Sequence, residues 1–146
     1  MRFYNEENIE IVSSFIRLYG DVLEKIASHY DGDVIFKSLP ESENQYHDIM
    51  GRLGNTVYIS EKEVGRLGLT PPEIFAVLAH EIGHMVYHTR GWDWDCEQRA
   101  DSLAADLGLG NQMISALEKI IESRRYQKLT SLLVSRIHFL QNVMRG

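Results

Sequence analysis

Hydrophobic positions recur every three or four residues over much of this chain, the pattern of helices that bury one face. Ile9, Val12, Ile16, Tyr19, Leu23 and Ile26 set that period over residues 7–29. Ile74, Val77, Leu78, Ile82, Met85 and Val86 repeat it over residues 70–88. This second helix has a strong start signal: Thr70 as N-cap, Pro71 at the first helical position and Glu73 placed to close a capping box. Ala100, Leu103, Ala104 and Leu107 form a packing stripe that includes small residues in a third helix, which Asp95 is placed to cap and Gly108 and Gly110 to end. Asn111 is the expected cap of a fourth, carrying Ile114, Leu117, Ile120 and Ile121. A last helix from about Gln127 carries Leu129, Leu132, Leu133, Ile137, Leu140 and Val143.

Between the first two helices the pattern changes. Val34-Ile35-Phe36 is a short β-type run, residues 45–50 suggest a second strand, and Thr56-Val57-Tyr58-Ile59 reads as a third. Gly51 to Gly54 is the expected turn between the last two. Ser60 and Glu63 then start a short helix that ends at about Gly65 to Gly68. These elements predict an α+β fold with a small, mostly antiparallel sheet and C-terminal packing helices. The 146 residues are expected to form a single domain, long enough for a real core.

Composition narrows the function classes. A formal charge of −6 argues against non-specific nucleic-acid binding, which needs a basic footprint. The single cysteine, Cys96, allows no internal disulfide and fits a reducing compartment. No apolar run approaches a membrane span, and the first residues show no signal-peptide core, so a cytoplasmic protein is expected.

The candidate chemistry lies in the helix over residues 70–88. His80 and His84 are one turn apart on one face, separated by roughly 6 Å along the axis, so two imidazoles can reach one metal ion. Glu81 lies beside the first of them. This H-E-x-x-H arrangement is that of a zinc site with a general base. Gly83, inside the motif, costs about 1 kcal/mol relative to alanine in a helix and points to close packing against another backbone. Glu97, in the first turn of the next helix, is the candidate third ligand. Asp101, one turn on, is placed to orient a ligand imidazole. Asp93, Asp95 and Cys96 rank below Glu97 as ligands. His88 shares the helix face but lies about 12 Å from His80, too far to share one ion with both other histidines.

HEIGH, EQRAD at Glu97 to Asp101 and the following LAADLGL resemble the H-E-x-x-H … E-x-x-A-D pattern of gluzincin metallopeptidases. The resemblance covers roughly Asn55 to Ile121 and is nearest to the HtpX and CAAX-prenyl-protease type, in the minimal form without transmembrane helices called minigluzincins. It implies a zincin-like fold, Zn2+ held by His80, His84 and Glu97, Asp101 behind the ligands, and hydrolysis of a protein or peptide substrate with Glu81 as general base. In such peptidases a late histidine lies near the metal; His138 is the positional match, without the proline that normally follows. In minigluzincins a terminal segment can also cover the cleft and keep the enzyme latent. A related pattern belongs to ImmA/IrrE-type regulatory peptidases, which His88 matches and the LGLGNQMISALEKI continuation does not.

In the peptidase reading an open sheet edge can hold substrate as an added strand. Tyr87, Arg124, Tyr126 and His138 are the candidates for stabilising the oxyanion. Two rival functions belong to other classes: an antirepressor-type protein-binding module, and a metal-stabilised scaffold without turnover. Glu81 argues against the scaffold, which needs the histidines but not the base.

Overall fold

A three-residue strand, β1 (Arg2–Tyr4), pairs in parallel with β2 (Asp33–Ser38), and the 17-residue helix α1 (Glu10–Ile26) lies between them in sequence. Parallel neighbours need a crossover of a dozen or more residues, and α1 supplies one. β3 (Met50–Leu53) and β4 (Thr56–Ile59) form a hairpin closed over Gly54 and Asn55, with Gly54 in the left-handed region at φ +61°. β4 also pairs in parallel with β2, so the strand order is β1-β2-β4-β3. The coordinates, a computed structural model, describe residues 1–44, 48–88, 94–124 and 127–145.

The sheet is therefore mixed and not mostly antiparallel. Two of its three pairings are parallel. Strand direction is decided by the crossovers, which local pattern does not encode. β1 was also not expected, because three residues are too few to show a period. The strand expected over residues 45–50 falls partly on positions 45–47, outside the described residues. The strand actually begins at Met50 and takes in Gly51, Arg52 and Leu53, which read as a turn until β4 offers them a partner.

The chain divides into two compact units, Met1–Gly68 and Leu69–Gly146. In the first, alternation along the strands puts Val34, Phe36, Val57 and Ile59 inside. Phe3 stacks on Phe36 at a 6.5 Å centroid distance, and Gly20 of α1 faces Phe3. Val12, Phe15 and Leu23 complete this core from α1. α2 (Glu61–Leu67) starts where expected: Ser60 accepts the Glu63 amide, and Gly68, at φ +64°, ends the helix.

The second unit is helical. α3 (Pro71–Val86) packs against α4 (Trp94–Asp106) and α5 (Gly110–Glu122), and α6 (Thr130–Arg145) packs on α4 and α5. α3 is buried on nearly all sides, which suits its run of apolar and small residues. α4 begins at Trp94, so Asp95 sits inside its first turn and is exposed. α5 begins at Gly110 with Leu109 at its N-cap position; Asn111 lies inside the helix and does not cap it. Among the described residues no helix is long and apolar enough to cross a membrane.

The capping box at the start of α3 forms as predicted and also ties α3 to α5. Glu73 accepts the Thr70 amide at 2.8 Å, the Ser115 hydroxyl, and the Lys119 ammonium at 2.6 Å. Burial alone would raise the Glu73 pKa; the Lys119 and Ser115 donors, with Thr70, outweigh it and hold the carboxyl at about 2. A folded pKa below the unfolded value adds stability that is present above about pH 4.5 and lost as pH falls toward 2. Replacing Lys119 with Met should cost about 1–3 kcal/mol at pH 7, the scale of a charge-assisted bond to a buried carboxylate. Thermal melts should show that difference shrinking as the pH is lowered from 5 to 2. An equal difference at both would show that Glu73 is not the group that titrates.

Candidate metal centre

His80 and His84 come from the buried C-terminal half of α3, His84 in its last turn, where the one-turn spacing stacks their rings edge-on with centroids 4.8 Å apart. Their Nε2 atoms converge at 3.2 Å. Glu97, in the first turn of α4, brings one carboxylate oxygen to 3.0 Å from His80 Nε2 and the other to 3.5 Å from His84 Nε2. All three residues are buried, and one donor atom from each lies within 4.8 Å of the others. Four-coordinate zinc with ligands at about 2.1 Å needs donors roughly 3.4 Å apart. The donor set is therefore grouped closely enough to hold a single metal ion. It is the one such group among the described residues.

The convergence depends on how closely α4 approaches α3. A Cβ built on Gly83 would lie 2.7 Å from the Ala100 carbonyl oxygen and 2.8 Å from its Cα. Glycine lets the two backbones meet there, as the sequence suggested, and Glu97 and Asp101 flank Ala100 on α4. Gly83→Ala is then informative in sign. Helix propensity favours alanine by about 1 kcal/mol, whereas overpacking costs about 1–3 kcal/mol. The expected result is a lower melting temperature and weaker zinc binding, read by thermal melt and chelator competition. A stabilised variant with unchanged affinity would show that the approach is not needed.

Asp101, fully buried on α4, accepts the His80 Nδ1–H at 2.8 Å. The carboxylate is an acceptor only, so Nδ1 keeps its proton, and it is the Nε2 proton that a metal ion would displace, leaving the Nε2 lone pair facing His84 and Glu97. Burial and the Arg136 cation lower the His80 pKa, but Asp101 and Glu97 outweigh them and hold it up at about 9. Burial works to raise the Glu97 carboxyl, yet hydrogen bonds from His80 and His84 and the Arg136 charge hold it well below the usual range. Asp101 is lowered in the same way by Arg136 and His80.

Arg136, on α6, is the site residue that the sequence reading missed. It is buried, and its Nε and Nη2 grip the two oxygens of Asp101 at 2.8 Å each. Nη2 lies 3.2 Å from His80 Nδ1, and Nη1 lies 3.4 Å from Glu97 Oε2. Desolvation works to lower the Arg136 pKa, but Asp101, then Glu97 and Glu81, hold it above its ordinary value. The signal was present: Arg136 occupies a slot in the apolar stripe between Leu133 and Leu140, the two apolar residues that α6 buries. An arginine in a core slot of an amphipathic helix needs a buried acid.

The other expected residues lie elsewhere. Glu81 is half-buried, and its charge reaches Arg136. His138, the positional match for a cleft histidine, is exposed, because two residues along a helix from Arg136 is a rotation to another face. His88 is exposed just past the end of α3, with φ +53°. Asp95 is exposed and Cys96 half-buried, and neither belongs to the donor set. Of the oxyanion candidates, Arg124 is exposed, and Tyr87 is half-buried with its hydroxyl pKa raised by burial and Asp106. Asp93 and Tyr126 lie outside the described residues.

No family model, no curated protein and no solved structure matches this chain. What the chain does has to be read from its own side chains.

Proposed function

We propose that this chain is a zinc-dependent peptidase with a zincin-like arrangement of α3 and α4. The observation that carries the reading is the convergence of His80 Nε2 and His84 Nε2 at 3.2 Å with the two Glu97 oxygens, one 3.0 Å from His80 and the other 3.5 Å from His84. Two imidazoles and one carboxylate are borderline donors that suit zinc, and three protein ligands leave the open position of a catalytic site. The resemblance of HEIGH and EQRAD to the gluzincin motifs supports the same assignment.

His80, His84 and Glu97 would hold the zinc ion, which when bound would supply Lewis-acid activation of a water and polarisation of a peptide carbonyl. The protein side of the chemistry falls to Glu81. It follows His80 directly and is half-buried, unlike the wholly buried ligands. Its carboxylate takes the proton of the attacking water and delivers it to the leaving amine. His80 stays oriented by Asp101 throughout, so its Nδ1 proton is not spent in the reaction. Burial of the ligands excludes competing water and strengthens each charge interaction among them.

The test joins metal analysis to a cleavage assay. Purified protein should contain one zinc per chain and should cleave an unfolded protein or a peptide library. A chelator should stop cleavage and added zinc should restore it. Protein that holds zinc yet cleaves none of these substrates would count against peptide hydrolysis and leave the metal centre standing.

A further inference from the structure

We propose that Arg136 is a positioning residue of the metal centre: it holds Asp101, and through Asp101 the His80 imidazole, in the orientation that binds the ion. This rests on the metal-binding part of the reading above and not on peptide hydrolysis.

The geometry carries the proposal. A guanidinium presents a rigid planar fork, and when both prongs meet one carboxylate they fix the plane of that group. Arg136 does this to Asp101, with Nε on Oδ2 and Nη2 on Oδ1. Oδ1 is also the acceptor of the His80 Nδ1–H. Rotation of the Asp101 carboxylate would break a prong of the fork, and rotation of the imidazole would break the bond to Oδ1. The chain Arg136–Asp101–His80 leaves Nε2 aimed at His84 and Glu97. Every member is buried, so no water is at hand to replace a lost partner.

A competing effect has the opposite sign. Arg136 Nη1 lies 3.4 Å from Glu97, a ligand, and a cation beside a ligand carboxylate opposes a second cation. Its two shortest contacts, 2.8 Å each, go to Asp101, and those to the candidate ligands are longer, 3.2 Å to His80 Nδ1 and 3.4 Å to Glu97 Oε2. Orientation is therefore the larger part of what Arg136 supplies. α6 becomes a working element of the centre, and deleting it to open a covered cleft would remove this support.

The experiment is a double-mutant cycle read as zinc affinity. Wild type, Arg136→Met, Asp101→Asn and the double variant are compared by chelator competition, at a temperature where circular dichroism shows each folded. Each single change should weaken zinc binding by about 10–100-fold, the usual loss when an orienting partner is removed. The double variant should be no weaker than the weaker-binding single variant, because both changes break one chain. Independent, multiplicative losses would overturn the proposal. So would unchanged or tighter binding in Arg136→Met, the result expected of a mere counter-charge.

Arg136→Lys keeps the charge and loses the fork, and it should remain well below wild-type affinity; full recovery would also overturn the proposal. If the methionine variant does not fold, this lysine variant takes its place in the cycle. The ¹⁵N resonances of the His80 ring give a second readout. In the zinc-loaded protein the Nδ1–H proton is expected to be slow to exchange with water in wild type and faster in Arg136→Met, and unchanged exchange would count against positioning. Wild-type protein that takes up no zinc overturns both this proposal and the peptidase. A chain that binds zinc and obeys the cycle but cleaves nothing overturns the peptidase alone.

Discussion

Glu81→Gln is expected to leave the fold and the zinc content close to wild type while lowering peptide hydrolysis by at least about 10²-fold, the scale of general-base catalysis. Glutamine has nearly the shape of glutamate and a similar helix propensity, so α3 has no reason to change. Glu81 is half-buried, and its carboxylate is not one of the three converging donors. What the substitution would remove, in the proposed peptidase, is the proton acceptor. Its charge also contributes to the field that keeps Arg136 cationic, but Asp101 and Glu97 contribute more, so that side chain stays in place. The measurement is turnover per zinc, with metal content checked on the same preparation. A variant that keeps most of its activity would remove Glu81 from the chemistry. A variant that loses its zinc would make Glu81 a structural part of the centre.

Glu97→Ala has the larger expected effect on metal binding. The substitution removes one of three protein donors and the one contributed by α4, leaving two histidines from a single helix. Zinc affinity should fall by more than the about 10–100-fold typical of losing a supporting hydrogen bond. Glu97→Gln keeps the shape and one oxygen but not the charge, and it separates loss of a ligand from loss of packing. Chelator competition on both variants, with folding verified by circular dichroism, gives the answer. Unchanged stoichiometry and affinity in Glu97→Ala would move the third ligand elsewhere, with Asp93 or Asp95 next in line.

The pairing of the two candidate donor histidines was legible because it is local. The spacing of His80 and His84 is one helical turn, and Thr70, Pro71 and Glu73 mark the start of the helix that carries them, so their common face follows from helix geometry alone. Gly83 was legible for a related reason. An interior glycine is unfavourable unless something approaches closely, and Ala100 does. Glu97 and Asp101 could be placed on one face of α4 by the same counting, although only the docking of α4 on α3 decided that this face meets the histidines.

The rest was decided by tertiary structure. Strand direction depends on crossovers, so the parallel pairing of β2 with β1 and β4 is absent from any local pattern, and the three-residue β1 is too short to announce itself. The strand over Met50–Leu53 exists because β4 pairs with it, not because its residues favour extension. On α6, sequence order offered His138 by its position, while burial chose Arg136, two residues earlier on another face. A buried charge is explained only by its partner, and the partner of Arg136 lies 35 residues away on α4. Periodicity records which side of an element is buried. It does not record what waits on the other side of the interface, and at this centre that information is carried by the packing of α3, α4 and α6.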